Sequence, residues 1–257
     1  MLNFEELKEY LDEKAEKYNN AEFIENDPIQ IPHRFSLRQD IEIAGFLSAT
    51  ISWGNRKSII KSAEKMLDIM GNSPYDFVLN YSEKDLQGIK DKSIHRTFNG
   101  EDFSYFIKQF NKIYKKNDSL ENLFMIEEDS ETNFLHPIER FRTQFLETEK
   151  HRSHKHVSSP YKNSSSKRIV MFLRWMVRKD KKGVDFGIWK NIDQKYLSIP
   201  LDVHTGNISR QLGLISRTQN DWKTVEELDE IVRKLDINDP AKYDFALFGL
   251  GVTKELL

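Results

Sequence analysis

The chain has 257 residues, of which 31% are charged and 38% hydrophobic, and its formal net charge is -2. That is enough to bury a substantial core in one large domain or two small ones, and no apolar run reaches the roughly 18 residues of a membrane span. Cysteine is absent, which excludes disulfides, thiolate zinc sites, iron–sulfur clusters and thiol nucleophiles together.

Helical periodicity dominates in chain order. The opening "NFEELKEYLDEKAEKY" sets Phe4, Leu7, Leu11 and Ala15 on one face. It is acidic and amphipathic, unlike a signal or transit peptide, so a cytoplasmic location is expected. "DIEIAGFLSATISW" and "NRKSIIKSAEKMLDIMG" read as two apolar helices joined by a short turn around Gly54. "SPYDFVLNY" carries Pro74 in a first-turn position, and "SEKD" at 82–85 marks another helix start. "EDFSYFIKQFNKIYKK" and "HPIERFRTQFLETE" are amphipathic helices separated by an acidic loop over 117–134. "KHRSHKHVSSPYKNSSS" has no hydrophobic period and reads as a loop. "SKRIVMFLRWMVRKD" is apolar around most of its girth, hence a buried helix. "TVEELDEIVRKLD" opens with a capping box from Thr224 to Glu227, and "DPAKYDFALFGLG" begins at Asp239 and Pro240 and is expected to stop at its glycines. No run alternates as strands do, so the expected fold class is all-α.

Charge is unevenly placed. From Lys150 to Lys182 there are eleven Lys or Arg against one acid, Asp180, whereas the first thirty residues are acidic. Such a block is either an electrostatic footprint for a polyanion or a solvated face. Within it, Lys167, Arg174 and Arg178 fall on one helical stripe. Lys167 sits in the first turn, where the helix dipole disfavours positive charge. It is therefore either a phosphate contact or exposed charge, or a reactive amine whose neutral form is favoured by desolvation, the helix start and cationic neighbours.

Further on, "IPLDVHTGNISRQLGL" places Asp202 where an extended segment ends and a helix begins. A carboxylate there caps the first amides, and the same position suits a catalytic acid at the helix mouth. In "HRSHKH", His151, His154 and His156 are conceivable metal ligands, although no acidic or thiolate partner is near and a solvated loop explains them. Phe245 and Phe248 fit core packing better than stacking on a ligand, and Asp185 either caps a short helix or faces a groove.

"SSSKRIVMFLRW" followed by "IPLDVHTGNISRQ" resembles the helix-hairpin-helix DNA glycosylase superfamily, which includes endonuclease III and the 8-oxoguanine glycosylases. In that superfamily an early-helix lysine attacks the sugar and a later aspartate assists. Lys167 matches the lysine, Asp202 the aspartate, and His204 the histidine two residues on. "AGFLSATISWGNRKSIIKSAEKML" is similar to the early helix pair whose turn borders DNA, here Ser52, Trp53, Gly54 and Asn55. "MFLRWMVR", "VDFGIW" and "YDFALFGLG" resemble more closely an uncharacterised family of bacterial proteins of about this length. The superfamily hairpin is normally glycine-rich, whereas "YKNSSS" has no glycine. The gap from Lys167 to Asp202, 35 residues, is closest to that of the archaeal 8-oxoguanine branch.

The resemblance implies two helical lobes with a groove between them, one formed by 1–45 plus 190–257 and the other by 46–189. It implies a base-excision repair enzyme with glycosylase and AP-lyase activity on double-stranded DNA, oxidised guanine being the lesion to consider first, with no cofactor, no metal and no obligate protein partner. Lys167 would form a Schiff base and Asp202 would assist. Trp53, Asn55, Arg56, Lys162, Ser165, Ser166, Arg168, Arg174, Arg178 and His204 would contact nucleic acid, Asn55 either filling the gap left by an extruded base or forming the turn. The protein would be nucleoid-associated when bound to DNA. A non-catalytic DNA- or RNA-binding protein of the same fold remains the alternative, and an unrelated helical adaptor a further one.

Overall fold

The computed structural model describes residues 3–147 and 151–255; Lys150 of the basic block lies outside them. The chain is predominantly helical: α1 (Phe4–Tyr18), α2 (Ala21–Glu25), α3 (Arg38–Thr50), α4 (Arg56–Ile69), α5 (Pro74–Asn80), α6 (Glu83–Lys90), α7 (Gly100–Tyr114), α8 (Leu135–Leu146), α9 (Lys167–Val177), α10 (Val203–Gln211), α11 (Trp222–Leu235) and α12 (Tyr243–Thr253). Short 3-10 turns fill many of the connections. The described strands, which the sequence pattern does not announce, are β1 (Ser93–His95) and β2 (Phe98–Asn99), a small antiparallel hairpin. No helix among the described residues is long and apolar enough to cross a membrane.

Two compact units emerge. Unit 1 holds Met1–Phe23, Ile126–His136 and Ser159–Leu257, and unit 2 holds Ile24–Met125 and Pro137–Ser158. These breaks differ from the 45/46 and 189/190 boundaries drawn from the sequence. The physical reason is that the loop leading into the lysine helix α9 bonds to the aspartate turn, and α9 itself bonds to α12, so it lies in the same unit as they do.

In unit 1 the C-terminal helix is the central packing element. α12 lies against α1 on one side and α10 on the other, and its glycines make both contacts possible. A Cβ on Gly249 would lie 2.2 Å from the Tyr18 ring, and one on Gly251 would lie 2.9 Å from Cβ of His204. The helix therefore runs through the glycines to Thr253 instead of stopping there. It starts at Tyr243, after a 3-10 turn over Pro240–Lys242. α11 likewise begins earlier than the expected capping box: the cap is Asp221, which accepts from the Thr224 amide at 3.0 Å.

Unit 2 is built on α3, whose residues Ile41–Thr50 are all buried. Phe46 sits among Phe106, Phe110, Phe141 and Phe145 with ring centroids 5.3–6.0 Å apart. One turn earlier, Glu42 is completely buried. Its carboxylate accepts from Tyr114 Oη at 2.8 Å, the Leu120 amide at 3.0 Å, and the Ser119 hydroxyl, and Arg38 pairs with it at 3.2 Å. Four donors offset the loss of hydration that would otherwise make a buried carboxylate untenable.

The Gly249 contact sets a test. Gly249→Ala forces a methyl group into the Tyr18 ring, and overpacking of this kind costs about 1–3 kcal/mol. Urea unfolding should show that loss, and Gly88→Ala, where a Cβ meets nothing within 4 Å, should show none.

Candidate active site

The start of α9 is shaped by a serine-rich loop that takes left-handed backbone without glycine. Asn163 has φ 60° and Ser166, the N-cap, has φ 47°. The first is a residue type that tolerates this region, and the second is not, at a cost of roughly 1 kcal/mol. The loop is held down on the start of α11: Ser164 forms a bridge with Asp221, and Asn163 Nδ2 donates to Asp221 Oδ2 at 3.0 Å. Burial works against the charge of Asp221, yet Arg217, Thr224 and Asn163 hold its carboxyl down to about 2.

This loop also reaches the aspartate turn. Ser165 Oγ donates to the carbonyl of Leu201 at 3.3 Å, joining the residue two before the lysine to the residue one before the aspartate. Asp202 caps α10, with Oδ1 accepting from the Thr205 amide at 2.9 Å. Its carbonyl accepts from Asn220 Nδ2 at 2.9 Å, and Arg210 donates to Asn220 Oδ1 at 2.6 Å. Gly206 leaves room for that amide, since a Cβ there would lie 2.6 Å from Asn220 Oδ1. The capping hydrogen bond aims the carboxylate, and its second oxygen makes no hydrogen bond among the described residues. The Lys167 amine, half-buried, makes neither an ion pair nor a hydrogen bond among them.

Both groups act on one buried carboxyl that sequence pattern does not single out, Asp244 of α12. Burial pushes Asp244 up to about 6 against the pull of Arg174; the charge of Asp202 raises it and that of Lys167 lowers it. Lys167 and Asp202 are thus within electrostatic reach of the same point. The available signal was an acid in the first turn of "YDFALFGLGV", a segment otherwise wholly apolar over two turns.

Below the lysine, α9 and the residue that caps its C-terminus supply two buried arginines, Arg174 and Arg178. Arg174 Nε donates to Asp185 at 3.2 Å and its Nη1 to Asp244. Arg178 bonds Asp239 at 2.8 and 3.0 Å, Asp180 at 2.7 Å and Asp185 at 3.1 Å. The Phe245 ring lies under both guanidiniums, 4.5 and 5.2 Å from centroid to Cζ. Arg174 and Arg178 are only 3% and 2% exposed, so neither reaches a phosphate. Their expected role in nucleic-acid contact is corrected to an internal one, because four aspartates satisfy them. Asp185 is the fully buried bridge between them and caps no helix. Phe245 is core.

Of the other expected contacts in unit 1, Lys162 and His204 are exposed, Ser165 and Arg168 half-buried, and Ser166 buried. Phe248 is half-buried, 6.4 Å from the His204 ring.

In unit 2, Trp53 is half-buried, its indole stacked on His156 at 5.9 Å and edge-on to His95 at 5.2 Å. Asn55 caps α4, accepting from the Ser58 amide at 3.2 Å, and Arg56 is half-buried. The three histidines of the loop diverge. His151 stacks on Tyr105 at 4.2 Å, His154 Nε2 donates to the Leu146 carbonyl at 3.0 Å, and His156 lies 3.2 Å from Asp102. No cluster of three or more potential ligands for a metal occurs among the described residues. Despite burial, His156, the Asn99 amide and Ser153 hold Asp102 down to about 2.

The family described as "Protein of unknown function (DUF2400)" matches residues 27–253, so the chain belongs to that family. No curated protein and no solved structure matches it.

Two outcomes follow from the buried charges. Arg174→Met leaves Asp244 without its guanidinium, and breaking such a pair costs about 3–5 kcal/mol, readable by urea unfolding. Asp244, and Asp229 beside Ser198 and Arg233, both hold a proton up to about 6 in the folded chain against 3.8 in the reference state. The folded state therefore binds more protons between those values, so their contribution is fully present below about pH 4 and is lost as pH rises through about 6. Asp229→Asn should flatten the fall in stability across that window by about 3 kcal/mol.

Proposed function

We propose that unit 1 carries a lysine-dependent site for DNA base excision, with glycosylase and AP-lyase chemistry on a helix-hairpin-helix type of fold. The observation that supports it most is an uncommitted amine and a half-used carboxylate that both act on the same buried carboxyl, Asp244. Lys167 and Asp202, 35 residues apart, are tied together through Ser165 and Leu201 and share the electrostatic surroundings of Asp244. A cap alone needs no lysine acting on the same buried carboxyl, and a phosphate contact needs no such carboxylate.

The chemistry assigns each group one task. The lone pair of the Lys167 amine forms a bond to C1′ while the bond from C1′ to the base breaks, its electron pair leaving with the base, which takes up a proton. The carboxylate of Asp202 stabilises the positive charge that develops on the sugar. Loss of the amine proton and opening of the sugar ring, with a proton delivered to O4′, leave an iminium between Nζ and C1′. Removal of a C2′ proton then expels the 3′ phosphate and nicks the strand. Oxidised guanine in double-stranded DNA is the first substrate class to examine, and the two-lobed glycosylase arrangement expected from the sequence belongs to the same proposal.

Borohydride trapping on a panel of single-lesion duplexes, including an abasic-site duplex, is the test. Wild type should form a covalent adduct that Lys167→Gln loses altogether. Asp202→Asn should slow base excision by about a hundredfold or more, yet keep trapping at a preformed abasic site, where no base has to leave. An adduct that persists undiminished in Lys167→Gln sinks the proposal. Salt-dependent binding without any adduct points to the non-catalytic module instead.

A further inference from the structure

Unit 2 holds a second concentration of positive charge, separate in sequence from the block around Lys167. α4 presents Lys57, Lys61 and Lys65 at four-residue intervals on one exposed stripe, rising about 6 Å per step. The β1–β2 hairpin lies along the same helix. Lys65 Nζ donates to the Ser93 carbonyl, Ser62 Oγ bonds His95 Nδ1 at 3.0 Å, and His95 Nε2 donates to the Trp53 carbonyl at 3.0 Å. These bonds bring the hairpin turn back onto the 52–55 turn. There the guanidinium of Arg96 rests on the open face of Gly54, where a Cβ would lie 3.0 Å from Nη1 and 3.1 Å from Cζ. Exposed Lys92 precedes the hairpin.

Three observations separate this face from an ordinary solvated one. Elsewhere in unit 2 some long cations are matched to carboxylates: Arg34 to Glu64 at 2.5 Å, Lys112 to Glu147 at 2.6 Å, Arg142 to Glu139 at 2.9 Å and Arg152 to Asp102 at 2.6 Å. Others, such as Lys84, Lys115 and Lys155, have no such match among the described residues; here the unmatched ones gather on one helix stripe and the hairpin beside it. Lys57, Lys61, Lys92 and Arg96 have no ion pair among the described residues. The acids of α4 do not change this, since Glu64 is held by Arg34 and Asp68 lies in the last turn. Secondly, the first turn of α4 carries Arg56 and Lys57 and no acid, an arrangement the helix dipole opposes. Thirdly, Arg96 occupies left-handed backbone with φ 50°, where glycine or asparagine is cheaper by roughly 1 kcal/mol. A ladder of cations a few ångströms apart suits a polymer with evenly spaced charges better than a single small anion.

We propose that this face of unit 2, with Lys57, Lys61, Lys92 and Arg96 touching phosphates, grips the sugar–phosphate backbone of duplex DNA. The choice of polymer rests on the nucleic-acid function proposed for unit 1; the chemistry of Lys167 plays no part in it. Arg96, seated on Gly54 beside Trp53 and Asn55, ties the grip to the turn expected to border DNA.

Fluorescence anisotropy of the full chain with an undamaged labelled duplex, across a salt series, tests this. The triple variant Lys57→Ser, Lys61→Ser, Arg96→Ser should bind at least tenfold more weakly at low salt. Its slope of log affinity against log salt should fall by about 0.9 for each phosphate it no longer neutralises, roughly 2–3 in all. Lys112→Ser, whose amine is already taken by Glu147, should keep the wild-type slope, and matching thermal midpoints show that all variants fold. Wild-type affinity and slope in the triple variant, or no duplex binding by wild type even at low salt, overturn the proposal. The two proposals fail separately. A weakened triple variant without any borohydride adduct leaves this surface standing and removes the lyase; an adduct with an unmoved slope does the opposite.

Discussion

Two guanidiniums buried at the end of α9, Arg174 within the helix and Arg178 at its C-cap, are the constraint from which the candidate site follows. Arg174 and Arg178 give up nearly all their hydration, which only a full set of carboxylate partners can offset. Those partners come from separate stretches: Asp180 and Asp185 from the segment after α9, Asp239 from the turn before α12, and Asp244 from α12 itself. A helix pinned in this way cannot rotate or slide without stranding a charge. Lys167 is seven residues before Arg174, about 10 Å along the same helix, so its direction is set by the same lattice.

The aspartate turn is fixed from the opposite side by neutral bonds. Ser165 holds Leu201, Asn220 holds the Asp202 carbonyl, and the Thr205 amide orients the carboxylate. One oxygen of Asp202 serves the helix and the other makes no hydrogen bond among the described residues, so the cap does not compete with the role proposed for this carboxylate. Asp244 connects the two arrangements, since it pairs with Arg174 while sensing Asp202 and Lys167.

Unit 2 uses buried acids differently. Glu42 gathers a loop hydroxyl, a loop amide and a tyrosine, and Asp102 gathers Arg152, Ser153, His156 and the Asn99 amide. Each carboxylate organises irregular chain that has little apolar surface of its own. The Asp102 network ends at His156, on which Trp53 stacks, so the turn that follows α3 rests on an ionic foundation laid by the histidine-rich loop.

The sequence by itself determined the helices, because apolar spacing and caps are local: Pro74, Ser82 with Asp85, and Asp202 each mark a helix start where the chain has one. It also singled out Lys167 and Asp202, since a lysine in a helix's first turn and an acid after an extended proline segment are visible as departures from local preference. Tertiary structure decided which cations are available and which are spent. A run of eleven basic residues reads as one surface, yet Arg174 and Arg178 meet acids up to seventy positions away, and charge pairing across such distances leaves no local trace. The same holds for the glycines of α12, which look like a helix end until Tyr18 and His204 are seen to need the space, and for Asp244, whose importance lies entirely in what the fold sets beside it.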